Sequence, residues 1–142
     1  MKSLHKHEYC ILICQIIIGT AAPSKLTSVT NWALFIEILR ENGLLARVHY
    51  FLEEHQLLHV IPEFAKRHFI SASQQANRIS IQVVRECKEI SRTLSNIKVP
   101  CIFLKGAAYS VTGNLASQGR VYTDIDLLVP RNCLNKASQH LM

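Results

Sequence analysis

Two aspartates one residue apart, Asp124 and Asp126, sit inside an apolar run from Thr123 to Val129 and are the residues of this chain best suited to chemistry. On a strand, residues i and i+2 point to the same face. Both carboxylates therefore project together, while Ile125, Leu127 and Val129 turn the other way into a core. Two like charges a few ångströms apart repel unless a proton is taken up or a cation sits between them. A divalent ion such as Mg²⁺ answers that need, because it prefers carboxylate oxygens and keeps coordination positions for substrate phosphates. Read alone, the pattern fits two solvated carboxylates on an exposed strand edge equally well.

The residues upstream supply a context. A short apolar run of strand type, Val99-Pro100-Cys101-Ile102-Phe103-Leu104, ends at Lys105-Gly106, and Ala107 to Val111 can start a helix. Glycine at such a turn lets backbone amides approach an anion, and a helix N-terminus carries partial positive charge. Lys105 reads equally as a surface lysine, and Gly106 as a plain turn glycine. Arg120, four residues before Asp124, has the planar fork that holds a phosphate or pairs with an aspartate.

Taken together, Leu104-Lys105-Gly106-Ala107-Ala108, Arg120 and Asp124-Ile125-Asp126-Leu127-Leu128-Val129 resemble the uncharacterised nucleotidyltransferase family, within the superfamily of DNA polymerase β-like nucleotidyltransferases. The likeness extends from about Asn31-Trp32 onward, and its specific part is the Lys-Gly to Asp-x-Asp segment. It implies an α+β fold, with a helical N-terminal bundle followed by the first strands and helices of a nucleotidyltransferase-type mixed sheet. It implies that Asp124 and Asp126 are catalytic and bind Mg²⁺. Gly106 would lie against the triphosphate, with Lys105 and Arg120 neutralising phosphate charge. The implied activity is Mg²⁺-dependent transfer of a nucleoside monophosphate from a nucleoside triphosphate such as ATP. The acceptor is left open between a protein side chain, a sugar, a small molecule and an RNA end. Related domains also serve as antitoxins, so a non-enzymatic nucleotide- or protein-binding module is the alternative.

The chain departs from the superfamily pattern in two places. The usual Gly-Ser turn is here Gly106-Ala107, which offers no hydroxyl. The superfamily's third carboxylate lies on a later strand, and Glu37, Glu63 and Glu86 fall in the helical region and do not match that position. With two strand segments before Met142, the sheet is expected to be truncated, and a two-stranded sheet is marginal without further cover.

The elements that must position these residues follow from periodicity. An apolar stretch from Leu4 to Ile18 reads as a first, buried helix, closed by Gly19 and Pro23. Trp32, Phe35, Ile36 and Leu39 recur at helical spacing until Asn42-Gly43, and Leu45 to Glu54 forms a third helix with Val48, Phe51 and Leu52 on one face. A short turn or helix follows at Leu57 to Ile61. From Glu63 to about Asn96 one long helix, or two with a break, is expected to turn Phe64, Ile70, Ile79, Val83, Ile90 and Leu94 to one side. Thr123 to Val129 is expected to be a strand, and Leu134 to Leu141 a helix. The organisation expected is a helical region over 1–97 and a partial nucleotidyltransferase domain over 98–142.

Composition sets the outer bounds. A chain of 142 residues, 49% hydrophobic and 18% charged, buries a real core and is not a disordered tail. The formal charge of +6 favours anionic partners in general. The basic residues are scattered, with no run of four or more, so no dedicated nucleic-acid arm is expected. Lys2 to Thr20 has the outline of a secretory signal peptide, but Glu8 abuts its apolar run, Gln15 interrupts it, and it is too short to span a membrane. Five cysteines without a Cys-x-x-Cys pair read as free thiols in a reducing, cytoplasmic setting. The His5-x-His7 pair and the irregularly spaced His49, His55, His59 and His68 carry no zinc pattern.

Overall fold

The computed structural model of the chain describes residues 6–141. Leu4 and His5, and with them the expected start of the first helix, lie outside the described residues. Contacts group the chain into two compact units. The first runs to Asn77 and takes in Gln118–Arg120; the second is made of Arg78–Ser117 and the residues from Val121 on.

The first unit is helical. Helix α1 (Lys6–Ile17) buries Tyr9, Leu12, Ile13 and Ile16 at the spacing of one helix face. Helix α2 (Trp32–Glu41) starts where the Asn31 side chain accepts a hydrogen bond from the Leu34 amide at 3.1 Å, an N-cap that satisfies one of the helix's free donors. The Asn31 amide in turn donates to the Tyr9 hydroxyl at 2.9 Å, so one residue both starts α2 and ties it to α1. Phe35 is fully buried, with Tyr9 and Trp32 edge-on at 5.6 and 5.7 Å. Helix α3 (Leu45–Glu54) adds Val48 and Leu52 to the same core.

Helix α4 (Glu63–Asn96) is unbroken over 34 residues. Its buried face differs from the expected one at the N-terminal end. Phe64 and Ile70 are exposed, at 54% and 37%, and Ala65, Phe69 and Ala76 take the core positions. Residues 64 and 69 lie about 140° apart around a helix, so only one of the two phenylalanines can face inward. Phe69 meets Trp32 edge-on at 6.4 Å, and Ala65 lies in the same core. Further along, Val83, Cys87 and Leu94 are buried, and Ile79 and Ile90 pack beside them, in line with the pattern.

The loop residue Gly119 also belongs to the first unit. Its φ is +68°, and a Cβ built there would stand 2.6 Å from the Arg47 amide nitrogen and 2.8 Å from the Ala46 carbonyl carbon. The end of the polar loop is therefore laid directly on the start of α3, an approach that only glycine permits.

The second unit pairs the rest of α4 with a small sheet. Strand β1 (Ile102–Phe103) runs antiparallel to β2 (Leu127–Leu128), with Ile102 opposite Leu128 and Phe103 opposite Leu127. Helix α5 (Lys105–Val111) follows β1, and α6 (Leu134–Leu141) follows β2. Ile125 packs on Val83, Cys87 and Ala107, while Leu127 and Val129 join Leu94, Val99 and Ala137. The alternation expected of residues 125–129 therefore holds. The strand itself is shorter than expected. After one further backbone bond, from the Leu104 amide to the Asp126 carbonyl at 2.9 Å, β1 gives way to α5. Residues 123–125 then have no continuation of β1 to pair with. The architecture is α+β in composition, mostly helical with a two-stranded antiparallel sheet.

Cys87 is almost wholly buried, and its thiol is pushed above the ordinary value chiefly by burial, with the Glu86 and Cys101 charges adding to it. A protonated, shielded thiol is a poor nucleophile. Brief iodoacetamide treatment of the native protein is expected to label exposed Cys14 and to spare Cys87 until denaturant is added. Equal labelling of the two, read by peptide mass spectrometry, would contradict the burial.

Candidate functional site

The turn from β1 into α5 builds the first half of the site. Leu104 is extended, and Lys105 then adopts φ +47°, in the left-handed region that lysine rarely visits. Lys105 Nζ lies 2.9 Å from Asp126 Oδ2, so the two residues that flank the end of the sheet form an ion pair. Asp126 is thus held twice, through its backbone carbonyl by Leu104 and through its carboxylate by Lys105.

The Lys105 ammonium is raised above its ordinary pKa, first by the hydrogen bond to Asp126, next by that carboxylate's charge and, more weakly, by Asp124; desolvation opposes them. A raised lysine pKa means that the pair's contribution is fully present at neutral pH and is lost only as pH rises through the folded-state value. Both partners are solvent-accessible, so screening keeps the contribution to stability small. The arrangement matters more for charge placement, because it sets a cation on the Asp126 carboxylate at the end of the sheet. Asp124 itself is exposed and accepts a hydrogen bond from Thr123 Oγ1 at 3.3 Å.

Gly106 is buried, and a side chain there would overlap the ring of Tyr122. The glycine is therefore required by packing within the chain itself. Ala107 is also buried, against Val83 and Cys87, which gives the missing serine a physical reason: a hydroxyl in that apolar contact would need a partner. Of the residues singled out from the sequence, Lys105, Gly106, Asp124 and Asp126 come together in the second unit. Arg120 is exposed and groups with the first.

Two neighbours of the site were not read as part of it from the sequence. Tyr122 is the ring that covers Gly106. Glu86, set aside because it lies on a helix, lines the same cleft as Asp124. The available signal was its position on α4, three residues after buried Val83 and next to buried Cys87, at the flank of the apolar stripe.

A model of the family described as uncharacterised nucleotidyltransferase matches residues 28–142. The chain belongs to this family. The match takes in α2 through α6 and every candidate residue named above; no curated protein and no solved structure matches the chain. Family membership points to nucleotidyl transfer in general, with a nucleoside triphosphate as substrate. Among the described residues, no helix is long and apolar enough to cross a membrane.

Proposed function

We propose that this member of the family transfers a nucleoside monophosphate from a Mg²⁺-bound nucleoside triphosphate to an acceptor, with Asp124 and Asp126 as the metal-binding pair. The single observation that supports this reading best is the Asp126 carboxylate held on a cation, the Lys105 ammonium at 2.9 Å, with the exposed Asp124 carboxylate two positions before it. Two carboxylates without sulfur or imidazole donors also suit a hard, oxygen-preferring ion. When bound, Mg²⁺ supplies stabilisation of charge on the phosphoryl oxygens.

The remaining roles belong to the chain's own side chains. Lys105 exchanges Asp126 for a phosphate oxygen when the nucleotide arrives, a cheap exchange because the pair is exposed. Tyr122, seated on Gly106, keeps the turn in shape. The same proposal holds that residues 98–142 contribute to a nucleotidyltransferase-type mixed sheet and that residues 1–97 form its helical companion. The free cysteines agree with a reducing, cytoplasmic setting.

Calorimetric titration with ATP and CTP, in Mg²⁺ and in EDTA, tests the reading when run on the wild type and on Lys105→Gln. Nucleotide binding is expected to require Mg²⁺. In the variant, Mg²⁺ alone should bind roughly two- to fivefold tighter, since a competing cation is gone, while Mg²⁺-ATP weakens by about tenfold. Nucleotide affinity unchanged by EDTA, or both affinities moving in the same direction, would overturn it.

A further inference from the structure

We infer that the cleft beside Asp124 is the acceptor subsite, and that it takes a small cationic molecule bearing hydroxyl or amine groups, not an RNA end. The term acceptor rests on the proposed function; the chemistry of the ligand rests on the cleft itself.

The cleft has a volume of 460 Å³ and lies wholly within the second unit, between α4 and residues 122–125. That size falls in the range of roughly 300–1,000 Å³ typical of small-molecule sites. Ile79, Val83 and Ile90 give it an apolar floor, and the Tyr122 ring forms one wall. Its polar groups are Gln82, Glu86, Thr123 and Asp124, two of them carboxylates, and among the described residues no lysine or arginine lines it, while Arg78 and Arg85 line the adjoining groove of α4 that shares Gln82 and Glu86. Gln82 Nε2 donates to Glu86 Oε1 at 2.8 Å, which steadies the Glu86 carboxylate and leaves its other oxygen able to accept. Gln82 is therefore a positioning residue for Glu86.

An anionic lining on a chain of net charge +6 is a local device that composition does not foretell. With Asp124 engaged by the metal, the Glu86 carboxylate is the charge that disfavours the phosphate backbone of an RNA end and attracts ammonium and hydroxyl donors through charge-assisted hydrogen bonds. Asp124 belongs both to the cleft and to the proposed metal pair, which puts a bound hydroxyl beside the nucleotide phosphates. In the transfer, the acceptor oxygen bonds to the α-phosphorus. The bond from that phosphorus to the bridging oxygen of the β-phosphate breaks, pyrophosphate leaves, and the hydroxyl proton passes to water.

Three monosaccharides of one size and different charge test this by NMR on the whole chain: glucosamine, glucose and glucuronate. Glucosamine is expected to shift the Thr123 and Ile125 amides and the Gln82 side-chain amide, while glucuronate leaves them unmoved. Glu86→Gln is nearly isosteric at an exposed position, so the fold should persist, as near-UV circular dichroism will verify. The variant should weaken glucosamine binding by about fivefold and leave Mg²⁺-ATP affinity unchanged. The inference is overturned if glucosamine produces no shift at the cleft, if glucuronate or a short RNA shifts the same resonances equally, or if Glu86→Gln binds glucosamine as well as the wild type. Should glucosamine bind as expected while Mg²⁺-ATP does not bind the wild type, the cleft's ligand chemistry stands and the acceptor role falls with the proposed function.

Discussion

The double substitution Asp124→Ala/Asp126→Ala is expected to lower transfer of label from α-labelled ATP by roughly three orders of magnitude or more, without unfolding the protein. The two carboxylates carry all of the proposed metal-binding chemistry, and no group of three or more His, Cys, Asp or Glu side chains placed to hold a metal ion occurs among the described residues. Neither aspartate is buried, so its loss leaves no cavity, and the thermal midpoint should stay within a few degrees of wild type. The Lys105 ammonium, losing both of the charges that raise its pKa, should titrate closer to an ordinary lysine. Calorimetry separates the two stages: Mg²⁺-ATP binding must fall along with transfer. Wild-type Mg²⁺-ATP affinity in the double variant would sink the metal assignment, whatever the transfer assay reads.

The second large effect concerns stability. Gly119→Ala is expected to cost about 2–4 kcal/mol, of which about 1–2 comes from forcing a Cβ into left-handed backbone and the rest from overlap with α3. The colliding atoms are backbone atoms of Ala46 and Arg47, which cannot step aside as a side-chain tip can. Gly113→Ala is the control. Its φ is +65°, yet nothing lies within 4 Å of the Cβ position, so it carries the conformational term alone. Thermal unfolding of the two variants should therefore differ, with Gly119→Ala lowering the midpoint by roughly 10 °C and Gly113→Ala by about half as much. Equal shifts would show that the loop does not rest on α3.

Much of the fold was legible because its determinants are local. The apolar spacing of Trp32, Phe35, Ile36 and Leu39 and the Asn42-Gly43 stop need only a few neighbouring residues to define α2, whereas the cap fell on Asn31 and not on the hydroxyl residues from Thr27 to Thr30 that the sequence also offered. The same holds for α3, and for the alternation that sends Ile125, Leu127 and Val129 into apolar clusters. The extent of β2 was not legible, since a ladder needs a partner and β1 turns into α5 at Lys105.

By itself, then, the sequence determined which residues share a helix face, where the chain must turn, and which two carboxylates lie one residue apart near a Lys-Gly turn. Tertiary structure alone decided that Phe69 and not Phe64 faces the core, and that Gly106 is held open for the Tyr122 ring. It alone laid Gly119 on α3 and brought Glu86 to the cleft of Asp124. Periodicity reports the side of an element on which a residue lies. Which side meets a neighbour depends on contacts between residues tens of positions apart, where size and close approach outweigh hydropathy.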